Sequence, residues 1–152
     1  MTDSGTQTVL LETQALSRTF GHGPQMVRAV WRVSFAVKAG EIVTVVGESG
    51  SGKTTLARVL LRLLDPTEGR ILLHGRDVTQ LRRTTDLKPY WRKVQGVFQD
   101  PFAACNQFYT IGRLLRNALG VLDDRPPKKE CTRAIKDVLK EVGLDPDDTL
   151  HK

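Results

Sequence analysis

The chain has only two cysteines in 152 residues, Cys105 and Cys131, and they stand far apart. That spacing excludes a cysteine-ligated metal centre, and so few thiols suit a reducing compartment such as the cytosol. No apolar run approaches the roughly 20 residues that a membrane-spanning helix needs. The N-terminus lacks the basic-then-apolar layout of a signal peptide, so no leader is expected. A basic tract is missing too. The net charge is +6, but the cations fall in isolated pairs, Arg82-Arg83, Arg92-Lys93 and Lys128-Lys129. Scattered pairs read as solvated faces with some pull on an anionic ligand, and nucleic acid is not an expected partner. His22, His74 and His151 have no partners visible in the sequence and are given no role. The remaining composition, 39% hydrophobic and 26% charged, is ordinary for a soluble globular protein of one domain or slightly more.

What is present is concentrated in Gly47-Glu48-Ser49-Gly50-Ser51-Gly52-Lys53-Thr54. These residues fit G-x-x-x-x-G-K-[ST], a phosphate-binding loop. Glycine permits positive φ and close approach of backbone to ligand. Successive N–H groups can then converge on phosphate oxygens. Lys53 adds a mobile cation for the β and γ phosphates, and the Thr54 hydroxyl can hold Mg²⁺, whose other ligands are water and phosphate oxygen. The flanks agree with the motif. EIVTVV at 41–46 is a short, β-branched, unalternating apolar run, the pattern of a strand buried on both faces of a parallel sheet. TTLARVLLRLL at 54–64 consists of strong helix formers, with Arg58 and Arg62 four apart as one exposed stripe, and Asp65-Pro66 ends it. Strand, loop and helix place a helix N-terminus at the phosphates.

Along the rest of the chain, residues 1–8 are polar and expected to fray. Strands are expected over 9–16 and 30–37; in the second, Val33, Phe35 and Val37 alternate with polar or small residues, so one face is buried. Gly21-His22-Gly23-Pro24 between them is a turn or loop. Arg70-Ile71-Leu72-Leu73 reads as a strand followed by a turn at His74-Gly75, then a charged connector, then a strand over 93–98. Ile111, Leu114, Leu115, Ala118, Leu119 and Leu122 form one helical stripe, and Cys131, Ala134, Ile135, Val138, Leu139 and Val142 another. Asp123-Asp124-Arg125-Pro126-Pro127 separates them with cap candidates and prolines suited to a first turn, and Gly143 is a natural helix stop. Cys131 sits in its stripe as a core residue rather than a reactive thiol.

Several segments in order resemble the ATP-binding subunit of ABC transporters: AVWRVSFAVKAGE at 29–41, GESGSGKTT at 47–55, DPTEGRILLHGRDV at 65–78, and the Q-loop-like Val97-Phe98-Gln99-Asp100-Pro101. The wording VFQDPFAACNQ is most similar to the oligopeptide and dipeptide importers, although Cys105-Asn106-Gln107 departs from their leucine-asparagine-proline. The likeness runs from about residue 9 to residue 145. It implies an α/β fold: a P-loop NTPase core with an N-terminal antiparallel β segment over 9–101, then the start of a helical subdomain over 102–152, the whole incomplete. It also implies roles. Backbone amides of Ser49, Gly50, Ser51, Gly52, Lys53 and Thr54, with Gly47 opening the loop, would hold the phosphates of ATP. Thr55 would reach the α-phosphate. Thr54 and Gln99 would bind Mg²⁺, and Lys53 and Gln99 would serve catalysis. Phe20 stands about where the family's adenine-stacking aromatic does, and stacking and plain packing both remain open for it.

The family's Leu-Ser-Gly-Gly-Gln signature, its apolar strand ending in Asp-Glu and its switch histidine have no counterpart in the sequence. The chain therefore resembles the N-terminal portion of a nucleotide-binding domain. In complete form the resemblance implies a transport-coupled ATPase, peripheral on the cytoplasmic face of the membrane, with permease subunits and a second ATP-binding subunit as partners and a peptide as the transported solute. The chain alone is expected to bind ATP without useful turnover, because the residues that polarise the attacking water are not in it. Run 41–46 would face an open sheet edge, so marginal stability or association is expected. A non-catalytic nucleotide-binding module, a non-transport ABC ATPase and a phosphate-loop kinase are the other readings.

Overall fold

A computed structural model describes residues 8–100, 108–120 and 127–152. They divide into two compact units, Met1–Tyr90 and Trp91–Lys152. The first is built on two long strands, β1 (Val9–Phe20) and β2 (Val27–Lys38), followed by helix α1 (Lys53–Leu60), β3 (Glu68–Leu73), β4 (Arg76–Asp77) and α2 (Thr84–Trp91). The strands form one antiparallel sheet in the order β2-β1-β3-β4. As the alternation requires, Val33, Phe35 and Val37 turn inward from β2 while Arg32, Ser34 and Ala36 are exposed. His74 and Gly75, at φ +49° and +75°, make the tight turn between β3 and β4.

The central strand, β1, carries two fully buried polar residues, Thr13 and Ser17. Each sits beside a register shift in the β1–β2 ladder and replaces a missing backbone acceptor. The Thr13 hydroxyl accepts from Phe35 N at 3.1 Å and the Ser17 hydroxyl from Arg32 N at 3.0 Å. A bulge would otherwise leave those part-buried amides without a protein partner. Leu16, Ile71 and Val59 are completely buried and centre the core; α1 touches both β1 and β2. Burying each such side chain contributes about 1.5–3 kcal/mol.

Helix α1 stops at Leu60, four residues before the expected end. Arg62 takes a left-handed φ of +57°, and Leu63 N bonds back to Arg58 O at 2.9 Å, closing the helix as a glycine usually does. The expectation of an exposed Arg58/Arg62 stripe is therefore half wrong. Arg58 is exposed, but Arg62 is buried and donates to Thr79 O at 3.0 Å and Leu81 O at 2.7 Å, with Asp65 3.1 Å away. Those acceptors make the unusual backbone conformation worthwhile. Burial lowers the Arg62 pKa, with Asp65 opposing the shift. Beside it, the buried Tyr90 on α2 donates its hydroxyl to the Leu60 carbonyl at the end of α1. Helix α2, which contains Pro89 in its second half, falls within the stretch read as a charged connector.

Two further expectations fail in the described residues. Segments 41–46 and 93–98, both read as strands, join no ladder. Ile42 is 93% exposed and Val46 88%. A doubly buried parallel strand needs neighbours on both edges and cover on both faces, and the described residues supply neither to these runs.

The second unit holds α3 (Ile111–Leu119), α4 (Lys128–Glu141) and the short α5 (Pro146–Thr149). Thr110 caps α3 by accepting from Arg113 N, and Asp145 caps α5 by accepting from Asp147 N and Asp148 N. On α4, Cys131, Ile135 and Leu139 are buried, four residues apart, while Val138 and Val142 of the expected stripe are exposed. Cys131 is thus the core residue expected of it. Gly143, at φ +77°, follows the helix as its stop. The separator at 123–126, residues 1–7 and Cys105-Asn106-Gln107 lie outside the described residues.

Two expected outcomes concern the first unit. The bare apolar run at 41–46 should drive association: sedimentation velocity should show a concentration-dependent species at micromolar concentration, and the double substitution Ile42→Lys, Val46→Lys should favour the monomer. A sharp cooperative melt of a wild-type monomer would contradict this. Burial pushes the Tyr90 phenol up to about 12, with Arg62 pulling the other way. The folded value lies above the unfolded value of about 10, so the fold favours the neutral phenol. That contribution is complete below about pH 10 and is lost as pH rises through about 12. Tyr90→Phe should cost about 0.5–1.5 kcal/mol at neutral pH and flatten the alkaline fall in melting temperature.

Candidate phosphate-binding site

The loop between β2 and α1 is fixed at its far end by one contact. Gly52, the N-cap of α1, has φ +92°, and a Cβ there would collide with the carbonyl oxygen of Ala29. Ala29 is itself the extra residue of a bulge: Arg18 pairs with Val30 and Thr19 with Arg28, so the ladder passes it over. The bulge frees that part of β2 to receive the loop. Only glycine meets both the backbone angle and the close approach. Gly50, at φ +82°, supplies the second left-handed position. A Cβ on Gly47 would come within 2.7 Å of the Ser51 hydroxyl, which would have to rotate away.

Lys53 begins α1 and folds back across the loop. Its ammonium donates to Gly47 O at 2.8 Å, Glu48 O at 2.6 Å and the Ser51 hydroxyl at 3.4 Å. Ser51 N donates to Glu48 O at 3.2 Å, closing a turn inside the loop. The first helical bond runs from Leu56 N to Gly52 O. The amides of Lys53, Thr54 and Thr55 therefore precede the helical ladder and are the free donors of a helix N-terminus. No acidic side chain occupies that first turn, so its partial positive charge is uncompensated. The Thr54 side chain is exposed beside these amides. Under the loop lies an apolar cavity of about 470 Å³, lined among others by Val30, Val33, Phe35, Val43, Val45 and Leu56.

The structure thus gathers Gly47, Ser49, Gly50, Ser51, Gly52, Lys53, Thr54 and Thr55 into one loop and helix start. Phe20 ends β1 opposite Val27, two residues along β2 from the Ala29 carbonyl that abuts Gly52. Gln99 belongs to the second unit, where it is exposed and outside any helix or ladder. Sequence reasoning missed the Ala29 carbonyl and the lysine's loop acceptors, since backbone atoms leave no signature in residue identity. It also missed Arg18, whose guanidinium lies 4.6 Å from the centre of the Phe20 ring.

Comparison with known proteins agrees with this geometry. The sequence family described as ABC transporter matches residues 30–152. A probable peptide ABC transporter ATP-binding protein of Sinorhizobium fredii is 44% identical over 124 residues, covering 80% of this chain and 34% of the relative. A putative peptide import ATP-binding protein of Brucella ovis is 38% identical over 142 residues, covering 93% and 44%. The chain therefore spans less than half the length of these curated relatives. Among solved structures, a dimeric ATP-binding cassette in a post-hydrolysis state, bound to ADP and Pi, superposes with a TM-score of 0.77 at 24% identity, over 94% of this chain and 61% of that one. That likeness establishes the fold, an α/β P-loop NTPase core of which this chain carries part. With 123 of its 152 residues inside the family match, the chain belongs to the ABC transporter ATP-binding family.

Proposed function

We propose that this chain binds Mg-ATP through the 47–55 loop, as the N-terminal part of an ATPase that powers peptide import. The observation that carries the reading is the lysine-centred loop itself: two left-handed glycines, a helix start with free amides, and a cation held over them. Lys53 would exchange its loop oxygens for the β and γ phosphates. The amides of residues 49–54 would hold the remaining phosphate oxygens, and Thr55 would reach the α-phosphate.

Magnesium fits the donors present. Thr54 offers one hard hydroxyl oxygen at the loop, and Mg²⁺ takes its other ligands from phosphate and water. Among the described residues no cluster of carboxylate, imidazole or thiol groups would hold the ion without the nucleotide. When bound, the ion supplies charge neutralisation between the phosphates. Gln99 is assigned as its second protein ligand and as the contact that senses a permease subunit. Phe20 would stack on adenine.

The peptide substrate rests on the relatives' names; a second ATP-binding subunit rests on the dimeric form of the solved cassette, and permease subunits at the inner face of a membrane are part of the same proposal. No helix among the described residues is long and apolar enough to cross a membrane, which fits a peripheral subunit. The 152 residues contain no Leu-Ser-Gly-Gly-Gln segment and no apolar run ending in Asp-Glu. Phosphoryl transfer depends on a positioned water and a second set of charge-stabilising donors. Binding without turnover is accordingly the activity assigned to this chain by itself.

Titration with a ribose-labelled fluorescent ATP analogue tests the site. Affinity should rise when Mg²⁺ is added, and Lys53→Ala should weaken it by about tenfold or more, the scale of one charge-assisted contact. Equal affinity for the two proteins would place the nucleotide elsewhere. Steady-state phosphate release by the chain alone should stay at background. Turnover that disappears in Lys53→Ala would refute the non-catalytic assignment.

A further inference from the structure

Phe20 does not stand alone. Arg18 lies two residues earlier on β1, and its guanidinium rests over the Phe20 ring, 4.6 Å from the centroid. The guanidinium is anchored from behind, donating from Nη1 to the Asp65 carbonyl at 2.9 Å. Its Nε is buried without a hydrogen-bond partner. An arginine held this way gives up one donor in order to lie on the ring. Phe20 is still 37% exposed. It lines a cavity of about 520 Å³ together with His22, Met26, Thr67 and Glu68. Thr67 is tied into the same corner, accepting from Thr19 N at 3.0 Å. The corner joins the phosphate loop through β2, because Phe20 pairs with Val27 and Ala29, two residues on, abuts Gly52.

We propose that Arg18 is a positioning residue for the base of the bound nucleotide, pinning the Phe20 ring so that a purine stacks on the ring surface the guanidinium leaves open. The inference rests on the nucleotide reading of the 47–55 loop and deepens it. Two physical effects contribute. The cation fixes the ring against rotation, so the base does not have to order it on binding. It also draws ring electron density towards its own side, which favours stacking of the electron-rich purine on the other. Arg18 acts through Phe20 and touches neither phosphate nor metal in this assignment.

The test uses the whole 152-residue chain and two ligands, the ribose-labelled ATP analogue and inorganic tripolyphosphate as its competitor. Tripolyphosphate has the phosphates and no base. Arg18→Met, which keeps much of the stem, should weaken the ATP analogue about threefold or more and leave tripolyphosphate unchanged. In the Phe20→Ala background the same substitution should have no further effect on ATP. Arg18→Lys, which keeps the charge without the planar fork, should lose less than Arg18→Met. A plain structural strut would weaken both ligands together. That result, an unchanged ATP affinity, or additive losses in the double variant would each overturn the proposal. Loss of the nucleotide reading shows up separately, as wild-type and Lys53→Ala chains with equal tripolyphosphate affinity, and it would remove this proposal with it.

Discussion

The contact on which the rest depends is the one between Gly52 and the carbonyl of Ala29. Those two residues tie the phosphate loop to the sheet. The bulge at Ala29 and the left-handed angle at Gly52 have to occur together, because either alone would leave a clash or a gap. Once they meet, the direction of α1 is set and its N-terminus opens at the loop. The same strand carries the register that brings Phe20 to that end of the sheet. A loop that looks autonomous in sequence is therefore positioned by a defect in a neighbouring ladder. Thr13 and Ser17 serve the same strand pair further along, where their hydroxyls replace acceptors that the bulges remove.

The glycine positions of the loop and the helix start after it were legible because their constraints fall on residue type. Glycine, lysine and threonine at fixed spacing encode backbone angle, charge and hydroxyl directly. The β1–β2 hairpin and β3 were legible from alternation and from turn residues, with strand ends zero to four residues beyond the expected ones, whereas β4 lies in what reads as a charged connector. The end of α1 was not. Its residues favour helix through Leu64, and only the acceptors at Thr79 and Leu81 draw Arg62 out of it. Those carbonyls lie 17 and 19 residues away, beyond the reach of any local pattern. Helix α2 was hidden by its charge and its proline, and it is held in place by Tyr90 on the Leu60 carbonyl.

The runs at 41–46 and 93–98 carry a different lesson. Their composition states an environment, burial on both faces, and the described residues do not provide it. Solved cassettes of this fold extend well beyond the matched portion, since this chain covers 61% of the one with a TM-score of 0.77. A hydrophobic run is a requirement on its surroundings as much as a preference of its own backbone. Propensity is satisfied only where partners exist.

Lys53 shows how a binding site can be kept in shape by its own cation. An ammonium has three donors, and all three find oxygens here, two from the opening of the loop and one from Ser51. The lysine thus spans the loop from its first residue to the start of α1. A ligand that takes over the ammonium must better those three bonds. A neutral group brings weaker acceptors, and a singly charged one spreads a single charge over its oxygens. A triphosphate brings several charged oxygens, and charge-assisted bonds are roughly twice as strong as neutral ones. On the proposed reading, discrimination in favour of polyphosphate would follow from what the lysine must leave as well as from what it gains, and the amides of Lys53, Thr54 and Thr55, free at the helix start, are aligned before any exchange.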